Sequence, residues 1–362
     1  MAATLPDFPW DLLEPAKAVA AAHPDGLVDL SVGTPVDPVP QRVRDALAAG
    51  SDAPGYPLTA GTPELRAALR SWVERCCGAA PGFDVLPTIG SKELVAWLPT
   101  LLGVGPGDVV VIPPICYPTY EVGARLAGAA VVRTDGLTAA GPAPVRLVWL
   151  NSPANPTGRV LPAAHLRKVV DWSRERGAVV ASDECYLPLP WEASPVSVLS
   201  VCDSRYDGVL AVHSLSKRSN LAGYRAGFVA GDPALIRELL AVRKHAGMMV
   251  PAPVQRAMVA ALSDEDHVAQ QRARYGRRRA VLRDALEGAG FRVEHSAAGL
   301  YLWITRDEPC SATVDWFAAR GVLVAPGAFY GPTGERYVRV ALTATDERIR
   351  AAVNRLGNGA GL

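Results

Sequence analysis

From Asp108 to Ala230 the chain alternates short valine-rich runs with stretches of helical periodicity, a pattern that few folds accept. The runs Asp108–Pro113, Ala129–Arg133, Val145–Leu150, Ala178–Ser182 and Val209–His213 read as strands. Strands alternating with helices predict an α/β fold: a mostly parallel, seven-stranded sheet with helices on both faces. The next run, Ala226–Ala230, follows His213 across a loop of only about a dozen residues, too little for a helical crossover, so it is predicted to run antiparallel. Thr62 as N-cap, Pro63 at the first helical position and Leu65, Leu69, Trp72, Val73 and Cys76 on one face predict an amphipathic helix. After Pro251 long helical stretches lead into a smaller α+β pattern. The expected division is an arm at 1–40 packing partly on a small C-terminal domain at 263–362, and a large domain at 41–262.

A chain of 362 residues suits about two domains. With 37 basic against 36 acidic residues the net charge is +1, so no global field favours nucleic acid or an anionic membrane. The run Arg272, Arg274, Arg277, Arg278, Arg279 and Arg283 reads as a solvated helix face. The six cysteines form no CxxC pair and read as reduced thiols in the core or lining a site. No uncharged apolar segment reaches the roughly 20 residues of a membrane span, and no signal peptide is visible. The expectation is a cytoplasmic protein acting on small molecules, with a flexible tail at 358–362.

Against 32 arginines the chain has five lysines, so basic positions default to Arg and a lysine stands out. Lys217, in VHSLSKRSNLAGYRAG, is flanked by Ser214, Ser216 and Arg225. An amine can lose its proton and attack an aldehyde, which a guanidinium cannot. Hydroxyls and a forked cation hold a phosphate dianion. An aldehyde cofactor with a phosphate fits both: pyridoxal 5'-phosphate.

Four further stations lie at strand ends, where ligands of open α/β sheets gather. TIGSKELV sets Gly90, Ser91 and Lys92 at the start of a helix, whose free amides and positive end suit phosphate. PPICYPTY offers Tyr117 as a ring to stack on a pyridine. NSPANPTG fixes Asn155 in a turn, where its amide can donate to a phenolic oxygen. SDECYLPL supplies Asp183 and Tyr186; a carboxylate against a pyridine nitrogen keeps it protonated. Gly33 would allow close approach of the backbone to a ligand. Taken singly, each has an ordinary structural reading as a loop lysine, helix cap, loop tyrosine or turn residue. The ordered combination is the specific signal.

The runs NPTG, DECY and SLSKRSNLAGYRAGF, in this order, resemble the class I/II aminotransferases, fold-type I pyridoxal phosphate enzymes, and the resemblance covers essentially the whole chain. It implies that Lys217 anchors the cofactor and shuttles a proton, and that Asp183 pairs with the ring nitrogen. Asn155 and Tyr186 would meet the ring oxygen, and Tyr117 would stack. Gly90, Ser91, Lys92, Ser214, Ser216 and Arg225 would hold the phosphate. Tyr56 would reach the phosphate of a neighbouring subunit, implying a homodimer with shared sites. Arg339 would bind the substrate α-carboxylate, with Gly33 and Asn155 beside it. Lys92 departs from many relatives, leaving phosphate or substrate as its ligand.

RKHAGMMVPAPVQ, GLYLWITR and LVAPGAFYGPTGERYVRVALTATDERI further resemble the N-succinyldiaminopimelate aminotransferases of lysine biosynthesis. This implies glutamate and 2-oxoglutarate as amino partners and an N-acylated, multiply carboxylated co-substrate, with Lys92, Arg243, Lys244 and His245 as candidates for its distal carboxylates. The rival readings are another aminotransferase (aspartate, aromatic or unacylated diaminopimelate), a C–S β-lyase, and a non-catalytic effector-binding module.

Overall fold

A computed structural model describes residues 5–357; the tail at 358–362 lies outside the described residues. Thirteen strands occur among them: β1 (Val28–Asp29), β2 (Asp84–Ile89), β3 (Val109–Ile112), β4 (Ala130–Arg133), β5 (Val145–Asn151), β6 (Val179–Asp183), β7 (Val209–Ser214), β8 (Ala226–Gly231), β9 (Arg292–Glu294), β10 (Tyr301–Thr305), β11 (Val322–Leu323), β12 (Ala325–Pro326) and β13 (Val338–Ala341).

Seven of them form the central sheet in the order β2-β8-β7-β6-β5-β3-β4. β7, β6, β5, β3 and β4 run parallel, while β8 is antiparallel to β7, as the short Lys217 loop requires. The strand outside the valine pattern is β2. It carries Pro87, which cannot donate to a ladder, and it lies at the sheet edge, where that loss is tolerated. One face of the sheet packs Leu65, Leu69 and Trp72 of the helix Pro63–Cys77, which Thr62 caps by accepting from Leu65 N at 3.2 Å. The other packs Leu94 and Leu98 of the helix Gly90–Leu101 with Tyr120 and Trp149.

The smaller C-terminal domain is built on the antiparallel sheet β12-β13-β10-β9. The N-terminal arm joins it through β1, which pairs in parallel with β11. A further clamp corrects the reading of the arginine run as uniformly solvated. Arg278, 4% exposed, grips Asp37 of the arm with two bonds of 2.7 and 2.6 Å and donates from Nε to Asp346 at 2.6 Å. Among the described residues no helix is long and apolar enough to cross a membrane.

Candidate active site

The phosphate end of the crevice is made by backbone. Gly90, φ +72°, is the first residue of the helix Gly90–Leu101. Gly227 of β8 lies so close that a Cβ there would sit 2.9 Å from Ser91 N. The first-turn amides have no partner within the helix, so this cradle is free to receive an anion. Arg225, itself in the left-handed region at φ 56°, is held by Nη1 donating to Ala222 O at 2.7 Å. Its guanidinium lies across Gly90: a Cβ at that glycine would be 2.9 Å from Arg225 Cζ. Ser214 closes this end by accepting from Ser216 N at 3.1 Å, which leaves its hydroxyl hydrogen to donate.

At the ring end Asp183 terminates β6 and is buried. Burial pushes its carboxyl above the usual range, opposed by the bonds from Cys185 and Tyr120. Tyr120 donates from its hydroxyl to Asp183 Oδ2 at 2.9 Å, and Cys185 N donates to Oδ1 at 3.2 Å. The Tyr120 ring stacks on Trp149 at 4.8 Å. Tyr117 meets Tyr120 edge-on at 5.8 Å, and burial pushes its hydroxyl up to about 12.

Lys217 lies between these ends, on the single turn Leu215–Arg218 after β7. Its Nζ donates to the carbonyl of Gly33. Burial lowers its proton affinity first, and Arg339 and Arg225 push in the same direction while Tyr301 and Cys185 oppose them. Gly33 is required where it is: a Cβ would come within 2.9 Å of Tyr301 ring carbons. The Tyr301 hydroxyl meets that of Tyr186 at 3.2 Å.

Arg339, on β13 and 2% exposed, closes the end opposite the helix start. It donates from Nη1 to Asn155 Oδ1 at 2.9 Å and from Nη2 to Ser31 O at 2.5 Å. Its guanidinium lies 3.9 Å over the Tyr301 ring, and its buried Nε has no protein partner. Asn155 is aimed in turn by its own N–H donating to Asn151 Oδ1 at 2.7 Å.

Lys217, Gly33, Tyr186, Asn155 and Arg339 are thus linked through Tyr301 and Arg339, Asp183 meets Tyr117 through Tyr120, and the helix start at Gly90 and Ser91 lies with Arg225 across it and Ser214 and Ser216 on the lysine turn. Lys92 turns toward the arm, its Nζ 5.4 Å over the Phe8 ring, and its amine is lowered by burial and then by Arg225. Tyr56 is 97% exposed and outside the crevice of its own chain. Arg243 is a correction: it is wholly buried and held by Glu93 through two bonds of 3.0 Å, so it offers nothing to substrate. Lys244 and His245 sit exposed in the last turn of the helix Pro233–Ala246. Tyr120, Tyr301 and Ser31 are contributors that sequence reasoning missed, since each reaches the crevice through packing between distant segments.

The family of aminotransferase class I and II matches residues 25–356. The chain belongs to the class I and II aminotransferases. This aminotransferase is 64% identical over 360 residues to a protein of Mycobacterium tuberculosis described as a probable aminotransferase, covering 98% of this chain and 86% of the relative. It is 61% identical to the 4-dedimethylamino-4-oxo-anhydrotetracycline transaminase OxyQ of Streptomyces rimosus, covering 97% and 99%. The structure of a probable N-succinyldiaminopimelate aminotransferase from Thermus thermophilus superposes with a TM-score of 0.86 at 29% identity, covering 97% and 100%. The family's cofactor is pyridoxal 5'-phosphate and its substrates are amino acids and 2-oxo acids. The crevice fits that cofactor. It offers a glycine-lined helix start under a guanidinium for the phosphate, a buried carboxylate for the ring nitrogen and an amine whose charged form is disfavoured.

Proposed function

We propose that this aminotransferase moves an amino group between N-succinyl-LL-2,6-diaminopimelate and 2-oxoglutarate, with glutamate as the amino partner, by a ping-pong mechanism and as a homodimer with shared sites. The observation that carries the α-amino-acid part of this reading is Arg339. A buried guanidinium with an unpaired Nε, steadied by Asn155, Ser31 and Tyr301, suits a carboxylate placed near Lys217. The likeness to the Thermus thermophilus structure supports the acylated diamino acid.

Bound pyridoxal phosphate supplies a protonated ring that takes up the charge left on Cα when its proton departs. The chain's own residues do the rest. Arg339 would orient the carboxylate so that Cα–H faces Lys217, whose proton affinity burial lowers and which would take that proton and return it. Asp183 would hold the ring nitrogen in its protonated form. Asn155 accepts from Arg339 through Oδ1, so its Nδ2 would be left, with Tyr186, to meet the ring oxygen. Tyr117 would stack on the ring. Ser91, the amides of the Gly90 cradle, Ser214, Ser216 and Arg225 would hold the phosphate, joined by Tyr56 of a second copy, while the Lys92 amine lies against Phe8.

The test supplies the holoenzyme with a panel of amino donors, including N-succinyl-diaminopimelate, and reads glutamate formed from 2-oxoglutarate. Glutamate formation with that donor well above the rest supports the proposal; turnover of other donors alone overturns its substrate. The 61% identity to OxyQ favours a second reading, amination of a polycyclic ketone, and a ketone of that class belongs in the same panel. Pyruvate and ammonia from a β-substituted amino acid would indicate a lyase instead.

A further inference from the structure

Beside Arg339 the N-terminal arm contributes something the cofactor chemistry does not require. The Trp10 ring lies 5.9 Å from the Arg339 guanidinium and 5.8 Å from the Phe329 ring. Phe8 continues the row, 5.9 Å from Trp10, and at its far end the Lys92 ammonium rests on Phe8 at 5.4 Å. Two aromatic rings therefore span the gap between the guanidinium that suits a carboxylate and a cation at the rim of the phosphate helix. Phe8 is 53% exposed, so its ring is open to a ligand along the row. The indole Nε1 of Trp10 is buried and has no hydrogen-bond partner. A buried donor without an acceptor is costly, and such groups in native structures ask for an absent partner.

We propose that Phe8 and Trp10 form the wall along which the substrate side chain lies, and that the Trp10 indole N–H selects side chains carrying a hydrogen-bond acceptor, an amide carbonyl or a carboxylate. The rings supply an apolar track for methylenes, and Lys92 latches the outer ring by a cation–π contact. An acceptor lying against Trp10 satisfies the orphaned donor, whereas an alkyl chain leaves it desolvated and unpaired. The discrimination follows from that asymmetry. This inference rests on the transaminase reading for the position of the α-carboxylate, and it deepens that reading by naming the substrate class: long α-amino acids with an acceptor in the side chain.

The test measures binding to the cofactor-loaded enzyme by calorimetry, so it does not depend on turnover of any one amino acid. The probes are 6-acetamidohexanoate and nonanoate, chains of equal length that differ by a neutral amide. Trp10→Phe keeps a ring and removes the N–H. The ratio of the two affinities is expected to shift against the amide by about tenfold in Trp10→Phe, the worth of one buried hydrogen bond. Phe8→Ala is expected to weaken both probes together, because it shortens the track without touching the donor. A ratio that moves by less than about twofold in Trp10→Phe overturns the proposal, as does Phe8→Ala binding both probes as tightly as the parent enzyme. Failure of the N-succinyl substrate in the turnover panel leaves this binding ratio readable, so the two failures are distinguishable.

Discussion

Tyr120→Phe tests the ring end of the site through an atom that sequence reasoning did not single out. The substitution deletes only the hydroxyl that donates to Asp183 Oδ2 at 2.9 Å, and the ring keeps its stack on Trp149. A hydrogen bond to a charged group is worth about 1.5–3 kcal/mol, and each pKa unit corresponds to about 1.4 kcal/mol. The Asp183 carboxyl, already raised by burial, is therefore expected to rise by a further 1–2 units or so. The remaining bond from Cys185 N prevents a larger change. Asp183 must be ionised to hold a protonated ring nitrogen, so the acid limb of the kcat/KM profile should move up by that amount while the alkaline limb stays. The linkage has a definite sign. A folded pKa above the unfolded one means that the stability tied to this group is intact below about pH 4 and is lost as pH rises through the folded value. Removing the Tyr120 hydroxyl deepens that loss at neutral pH in the cofactor-free chain. An acid limb unmoved within about 0.3 units would refute the assignment of Tyr120 as the group that tunes Asp183.

Other expectations test the remaining parts. Lys217→Ala should abolish covalent attachment of the cofactor, read by borohydride reduction and peptide mapping; a labelled adduct in the variant would remove Lys217 from its role. Glu93→Gln leaves the wholly buried Arg243 charge without its two-pronged partner and should cost about 3 kcal/mol in unfolding experiments, most of it regained when Arg243 is replaced by Met as well. Asp37 is held below its usual carboxylate range because the Arg278 and Gln271 bonds outweigh burial, so the arm clamp is present above about pH 4 and is lost as pH falls through the lower folded value. Limited proteolysis should cut the arm faster in acid, and Asp37→Asn should show the same cleavage at neutral pH. Mixed dimers of a parent chain with a chain carrying both Tyr56→Phe and Lys217→Ala should be less active than dimers of parent and Lys217→Ala chains, since the one intact lysine site then lacks the neighbour's tyrosine hydroxyl; equal activity would separate Tyr56 from the neighbouring site.

What the sequence made legible was local chemistry at strand ends. Lys217, Asp183 and Asn155 stand out because their residue types are unusual in their settings, and a valine-rich strand ending just before each one fixes where it lies. The sheet reversal at β8 was legible for the same reason: a short loop excludes a crossover. Edge strand β2 escaped because Pro87 breaks the strand signature, although an edge is where proline is admissible. Tyr120 and Tyr301 carry no local mark, since an aromatic in an apolar setting is ordinarily core. Their roles arise when Tyr120 crosses to Asp183 over 63 residues and Tyr301 to Tyr186 over 115. Arg243 failed in the opposite direction: its sequence neighbours are exposed, but the helix turns it inward to Glu93.

The electrostatics of the crevice make the base responsive to what is bound. Burial is the first reason that Lys217 is a weaker base than a free lysine, and it persists whatever occupies the site. The repulsion from Arg339 and Arg225 is different in kind, because each of these cations faces a place suited to an anion. A phosphate under Arg225 and a carboxylate at Arg339 cancel that repulsion, so the amine's proton affinity rises as each anion arrives. The order matters: with the phosphate end filled, only the Arg339 contribution is left to change, and a substrate carboxylate changes it at the moment when Lys217 has a proton to take. An amino acid lacking that carboxylate leaves Arg339 unneutralised and Lys217 the poorer acceptor. On the proposed roles, the cation that orients the substrate would therefore also strengthen the base, and Arg339→Lys, which keeps the charge but loses the fork and the stack on Tyr301, should impair orientation more than it alters the pH dependence.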